Sequence, residues 1–267
     1  MKFAIISSTE DIASTNIKES LLKLFKFRET EEIFDNHKVY ELDNIKLYTT
    51  DERPVYCEDI DKRIDADFFL FISKHSSASG IHSLSVHCLG NWGKAELGGK
   101  DNQLCISPAL YLREGMLKLE ELGENLDYEI IQEVTHHGPY LEKPVMFIEI
   151  GSNEEQWRNK QAADIIAKTS MHLLQNKPEK AKVVFGIGGL HHAPNFKKLY
   201  KQGIAVAHIC PKYNLDNLSE EMIKQAIEKT TEKINLVLLD WKGMYDRDRI
   251  LEILNKLNLN YKKTKEF

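Results

Sequence analysis

The sequence predicts an α/β protein built on a mixed, largely parallel sheet with helices on both faces. Three observations carry that expectation. Apolar runs of strand length alternate with stretches of helical periodicity along the whole chain, the βα order that a parallel sheet requires. Two of the runs, Asp67-Phe-Phe-Leu-Phe-Ile-Ser73 and Val145-Met-Phe-Ile-Glu-Ile150, are almost continuously apolar, as strands buried on both faces are. No proline- or glycine-rich linker and no useful repeat divides the chain, so residues 1–267 read as a single α/β domain.

The elements follow in order. Residues 3–7 read as the first strand, and Ile17, Leu21, Leu22, Leu24 and Phe25 recur at helical spacing behind it. Strands at 39–42 and 45–48 flank Asp43-Asn44, a hairpin turn. The run at 67–73 ends in a polar loop that begins Lys74-His75-Ser76-Ser77. Residues 84–88 alternate and stop at Gly90-Asn91, and residues 93–99 read as an exposed loop. Leu110, Met116, Leu117, Leu119 and Leu122 indicate a helix, interrupted or started near Gly115. A strand at 128–134 leads into Thr135-His136-His137-Gly138-Pro139. After the strand at 145–150, Gly151-Ser152-Asn153-Glu154-Glu155 has the capping residue and early acids of a helix that runs to about Leu174. The strand at 183–185 opens into Gly186-Ile-Gly-Gly-Leu-His-His-Ala-Pro194, and strands at 204–209 and 234–239 alternate with helices at 219–230 and 246–257.

Composition excludes several classes. Hydrophobic content of 42% and charged content of 29% belong to a globular protein with a full core. No apolar run approaches the roughly 20 residues of a membrane helix, and Met1-Lys-Phe-Ala-Ile-Ile6 is followed by polar residues, not a signal cleavage site. A cytoplasmic protein without membrane contact is expected. The net charge of −5 gives no global basic footprint for nucleic acid, so a nucleic-acid ligand needs a local patch; candidates are Lys197, Lys198 and Lys201, then Lys177, Lys180 and Lys182, then Lys262, Lys263 and Lys265, though each reads more readily as a solvated face because lysine is plentiful throughout the chain. Four cysteines are far apart and form no C-x-x-C pair, which indicates reduced structural thiols. Cys88 adjoins His87, but neighbouring strand residues point to opposite faces, against a Cys-His nucleophile.

The chemistry resides in histidines. His75, His87, His136, His137 and His191 fall at or just after predicted strand ends, with His192 following directly, and Glu149 lies one residue from the end of its strand. Parallel strands would bring these groups to one edge, where open sheets bind ligands. Converging imidazoles with a carboxylate suit zinc or another divalent ion, whose bound water ionises near pH 7. Metal-free acid–base catalysis is the alternative, and ordinary polar residues in loops the plainest one. Gly188 and Gly189 are candidate oxyanion donors through their backbone N–H groups, against a simple tight turn.

These residues resemble a known family. Lys74-His-Ser-Ser77, Leu84-Ser-Val-His87 with Gly90-Asn91, Thr135-His-His-Gly-Pro139, Glu149-Ile-Gly-Ser152 with Trp157, and Gly188-Gly-Leu-His-His-Ala-Pro194 occur in the same order in the D-aminoacyl-tRNA deacylases of archaeal and plant type. The resemblance runs from near residue 1 to about residue 240. It implies a hydrolase that frees tRNA from D-amino acids, zinc-dependent and monomeric, with a three-layer fold similar to purine nucleoside phosphorylases and peptidyl-tRNA hydrolases. The chain departs from the family pattern in carrying Lys74 for Arg, Cys88-Leu89 for Thr-Pro, and His192 for Tyr. The expected site is then His136, His137, His191 and Glu149 for catalysis; Lys74, His75, Asn91, Gly188, Gly189 and Lys197 for substrate, the acceptor end of D-aminoacyl-tRNA; and His75, His87, His136 and His191 for zinc. A nucleoside phosphorylase or nucleosidase, and a non-catalytic binder of the tRNA 3′ end, are the alternatives.

Overall fold

A computed structural model describes residues 1–267. Its strands are divided between two sheets, where the sequence suggested one. The first sheet has eight strands: β1 (Phe3–Ser8), β2 (Arg28–Phe34), β3 (His37–Leu42), β4 (Ile45–Thr50), β5 (Phe68–Ser76), β6 (Ser83–His87), β7 (Glu129–Gln132) and β8 (Val145–Ser152), in the order β2-β3-β4-β1-β5-β8-β6-β7. Its centre, β4-β1-β5-β8, is parallel. The pair β6-β7 runs antiparallel to β8 and occupies the edge where a further parallel strand would have joined. The later strands therefore pair among themselves. β9 (Lys182–Ile187), β10 (Ile204–Cys210), β11 (Val237–Leu239) and β12 (Tyr261–Lys263) form a second, wholly parallel sheet in the order β10-β9-β11-β12.

Helices cover these sheets unevenly. α1 (Ile12–Leu24), α3 (Ala109–Gly123) and α5 (Lys160–Gln175) bury their apolar stripes on one face of the large sheet, against Phe68, Leu70, Ile72, Met146 and Ile148. The other face is covered mainly by loops and the single turn α2 (Ile60–Arg63), which leaves a depression over the middle strands. Phe71 and Phe147 stack beneath that depression with ring centroids 4.8 Å apart. The second sheet packs α7 (Glu220–Glu228) and α8 (Arg247–Lys256) on one face and α6 (Pro194–Lys197) on the other. No helix is long and apolar enough to cross a membrane.

Local departures from the sequence expectation have physical causes. The helix expected from 151 to 174 is two helices, α4 (Glu154–Trp157) and α5, because the Asn159 side chain accepts from Gln161 N and Ala162 N and starts a new cap. Gly115 does not interrupt α3; a Cβ there would lie 3.2 Å from Val86 Cγ1, so glycine lets the helix sit close on β6. β2 escaped notice because Arg28-Glu-Thr-Glu-Glu-Ile-Phe34 is charged, as an edge strand open to water is.

Candidate active site

Register places the site. Ser73, Glu149 and Ser85 are directly paired across β5, β8 and β6, as are His75, Gly151 and Ser83, and Phe147 pairs with His87. Paired residues share a face, so His75, Glu149 and His87 project together into the depression, with Glu149 between the two imidazoles. The convergence expected at an edge of parallel strands therefore occurs partly on a sheet face, because β6 is antiparallel. Gly151 makes room for it: a Cβ at that position would lie 2.8 Å from His75 Cδ2 and 2.4 Å from Ser83 Oγ.

The chain leaving β7 adds the rest. Leu89 bridges His136 in parallel register, and Val134 N donates to His191 O at 3.0 Å, so this segment joins the large sheet to the loop after β9. It delivers Glu133, His136 and His137. Glu133 is the residue that sequence reasoning missed. Its carboxylate is fully buried, with Oε2 2.8 Å from His191 Nε2, 3.1 Å from His75 Nδ1 and 3.7 Å from His136 Nε2. The signal was present, since Glu133 is an acid at the end of an apolar strand, the criterion that singled out Glu149. Glu133 Oε1, His75 Nε2 and His87 Nε2 have no hydrogen-bond partner although buried. Unpartnered polar atoms in a buried centre are available to a substrate or a metal ion.

The imidazoles fall into two groups. In the first, His87 Nδ1 donates to Cys88 O at 3.1 Å, His136 Nδ1 to Val134 O at 2.8 Å, and His137 Nδ1 to Gly138 O at 2.6 Å. These bonds orient the three rings, which offer one ligand nitrogen each within 4.8 Å of one another. Burial opposes charge on His87, but the hydrogen bond and charge of Glu149, with the charge of Glu133, outweigh it and raise His87. His137 reaches this place with φ at 44°, a left-handed conformation that costs a non-glycine residue about 1–3 kcal/mol. In the second group His75 Nδ1, His191 Nε2 and Glu133 Oε2 meet within the same limit. The four histidines expected as metal ligands, His75, His87, His136 and His191, divide between two clusters, because His75 and His87 lie four residues apart along β8.

Electrostatics separates the groups further. Burial, reinforced by repulsion from neighbouring imidazoles, holds His136 well below the usual histidine value, and burial pushes His137 down to about 4. Both are neutral at pH 7. Burial also opposes charge on His75, but the hydrogen bond and charge of Glu133, with Glu149 adding, outweigh it and raise His75 to about 9. Glu133 is disfavoured as an anion by burial, yet hydrogen bonds from His191 and His75 hold its carboxyl well below the carboxylate range.

A cavity of about 230 Å³ opens over this centre, lined on its polar side by Lys74, His75, His136, His137, Glu149 and His191. The ammonium of Lys74 lies 4.9 Å from the centre of the Trp157 ring, whose indole N–H donates to His75 O. Three expectations do not fit the arrangement. The Asn91 side-chain amide donates to Gly98 O at 2.9 Å and so braces a loop, outside the cavity lining. Gly188 N and Gly189 N donate to Cys210 O and Gly243 O at 2.8 and 3.0 Å, so neither is free to hold an oxyanion. The tight turn is their role: Gly188 has φ 96°, and a Cβ there would meet Gly243 O at 2.9 Å. Lys197 lies on α6, away from the cavity lining. Cys88 points to the far side of its strand, toward Thr135 and His208, and burial pushes its thiol up to about 11, which removes it as a nucleophile.

Fold and site together define an α/β protein whose histidines and carboxylates converge, through paired strands and a loop from the second sheet, on one buried centre suited to metal ligation or proton transfer. Residues 62–262 match the family model described as D-aminoacyl-tRNA deacylase. The chain is 41% identical over 267 residues to a D-aminoacyl-tRNA deacylase of Pyrococcus furiosus, with 96% of this chain and 98% of the relative covered. It is 39% identical to that of Thermococcus kodakarensis, with 90% of each covered. A crystal structure described as a conserved protein of unknown function superposes with a TM-score of 0.90 at 29% identity, covering 99% of this chain and 96% of that one. The chain belongs to the D-aminoacyl-tRNA deacylase family.

Proposed function

We propose that the protein hydrolyses the ester between a D-amino acid and the 3′ end of tRNA, returning both in free form, and that the buried histidine–carboxylate centre performs the reaction. Family membership at 41% identity across nearly the whole chain is the observation that carries the reaction. The centre supplies what ester hydrolysis needs. His75 is an imidazolium near pH 7, fixed by Glu133 at Nδ1, and its Nε2–H, buried in the cavity lining without a partner, is the available donor to the developing oxyanion. This role falls to His75 because the Gly188 and Gly189 amides are occupied. His191 is held at Nε2 by Glu133, the arrangement of a carboxylate-oriented general base, and Nδ1, 3.1 Å from the exposed Tyr213 hydroxyl, is the nitrogen that takes the proton when water or substrate replaces that hydroxyl.

A divalent metal, zinc foremost, fits the remaining donors. His136 and His137 offer neutral Nε2 atoms, His87 Nε2 lies beside them next to the Glu149 carboxylate that favours its protonated form, all three Nδ1 atoms are backed by carbonyl acceptors, and Glu133 Oε1 is a further unpartnered oxygen. When bound, such an ion supplies an acidified water. Glu149 lies 3.4 Å from His87 Nε2 and 3.9 Å from His75 Nδ1, so its charge holds both clusters together. We read the protein as a monomeric catalyst acting on cytoplasmic tRNA, with His191 contributed by the loop after a strand of the second sheet. The test is deacylation of D-tyrosyl-tRNA and L-tyrosyl-tRNA before and after chelation, with zinc restored afterwards. D-selective cleavage lost on chelation and recovered with zinc is expected. D-selective cleavage that survives chelation removes the metal and leaves His75 and His191; no cleavage of either ester overturns the reading.

A further inference from the structure

We infer that Arg53, on the turn after β4, is the anchor for the phosphodiester that joins the last nucleoside of the substrate to the rest of the tRNA; the inference rests on the deacylase reading above. Arg53 and Lys74 are the two lysine or arginine side chains that line the cavity, and neither forms an ion pair. Four of the other six arginines are committed to acids: Arg63 to Asp35, Arg113 to Glu179, Arg158 to Glu154 and Arg249 to Asp246. The other two, Arg28 and Arg247, do not line the cavity. A protein of net charge −5 that handles a polyanion needs its uncommitted cations at the point of contact.

The turn that carries Arg53 is built to hold it still. Pro54 follows it and restricts its backbone to the extended conformation observed, φ −62° and ψ 136°. Its carbonyl accepts from Tyr56 N at 2.9 Å and from Cys57 Sγ at 3.6 Å. The guanidinium lies 5.3 Å from the centre of the Tyr56 ring and forms no ion pair within the protein, so its N–H groups are available to an anion. Behind the turn, Val55 O is packed so closely against the 98–99 loop and Gly138 that a Cβ on Gly98 would lie 1.8 Å from it and one on Gly138 2.8 Å. Glu58 ties the same wall, accepting from Gly99 N and from Tyr140 N. Gly138 follows His137 directly, so the wall bearing Arg53 is rigidly connected to the first imidazole cluster. A phosphate seated on Arg53 is thereby placed at a set distance from the reacting ester, and a planar guanidinium binds it through two parallel N–H bonds.

The experiment compares two short esters, 3′-D-tyrosyl-adenosine and the same nucleoside joined through its 5′-phosphodiester to cytidine, with wild type, Arg53→Ala and Arg53→Lys. Wild type favours the dinucleotide by about tenfold or more in kcat/KM, the scale of a charged hydrogen-bonded contact. Arg53→Ala lowers the dinucleotide to the level of the nucleoside, leaves nucleoside hydrolysis unchanged, and reduces the salt slope of log kcat/KM on D-tyrosyl-tRNA by about 0.7, the value for one single-strand phosphate. Arg53→Lys keeps the charge and restores part of the preference. A dinucleotide preference that survives Arg53→Ala, or its absence in wild type that still cleaves D-tyrosyl-tRNA, overturns the inference alone. Failure of wild type to cleave any of these esters overturns the deacylase reading, and the inference with it.

Discussion

The two histidine doublets share one local design, an apolar strand followed by two imidazoles and a proline turn, and they end in different physical states. His136 and His137 both enter the buried centre, with ring centroids 4.4 and 4.9 Å from that of His87, their Nδ1 atoms bound to carbonyls. In the second doublet His191 binds Glu133, while His192 makes no hydrogen bond and lies edge-on to His75 at 5.6 Å. The difference is the carboxylate. Glu133 sits three residues before His136 and reaches across to His191, so it links one member of each doublet, and His192 lies beyond its reach. A histidine at a strand end acquires a role from the buried groups it meets, a carboxylate for His136 and His191 and the other imidazoles for His137, and not from its own flanking residues.

This comparison can be broken by substitution. His136→Ala is expected to lower kcat by about 10³ or more while the circular dichroism spectrum stays native and, if the proposed metal binds there, to reduce the metal content of the purified protein. Retained kcat would mean that the first doublet is as dispensable as His192. Glu133→Gln keeps the volume and removes the charge that both clusters share. It should lower kcat by about 10²-fold and bring the His75 imidazole down from about 9, which NMR titration reads directly. An unchanged His75 titration would show that Glu149 holds it instead.

Acid sharpens the contrast within the metal-free protein. His137 is held neutral down to about 4, whereas an unfolded histidine protonates near 6.5, so the unfolded chain binds more protons between those values. Stability should therefore fall as pH drops from about 6.5 toward 4. His75 acts in the opposite sense: its raised value makes its contribution complete below about 6.5 and lost as pH rises through 9. The Tm of chelated protein should decline on both sides, and in His137→Asn the acid limb should become shallower. The smallest effect belongs to His192→Ala, where kcat/KM is expected to change by less than about threefold because no polar contact is lost. A tenfold loss would give the second doublet a second working member.

Much of the architecture was legible beforehand. The buried strands β5 and β8 were evident from continuous apolar runs, and the hairpin β3-β4 from Asp43-Asn44, because burial on both faces and tight turns leave local signatures. The histidines and Glu149 were evident for a related reason, since polar groups at the ends of apolar strands stand out against their neighbours. Glu133 has the same signature but was overshadowed by the doublet behind it. The glycines at 188 and 189 misled because an oxyanion loop and a crowded turn demand the same residue.

What the sequence determined by itself was the set of groups available and the strands that carry them, since hydrophobic periodicity is a local property of the chain. The tertiary structure alone decided which groups meet. The register of β6 against β8 put His87 on the same face as Glu149, the division into two sheets brought His191 in from a separate one, and the contact of Glu133 with His75 and His191 joins residues 58 positions apart in either direction. Such pairings depend on strand direction and register, and a shift of one residue would have turned each of these side chains to the opposite face.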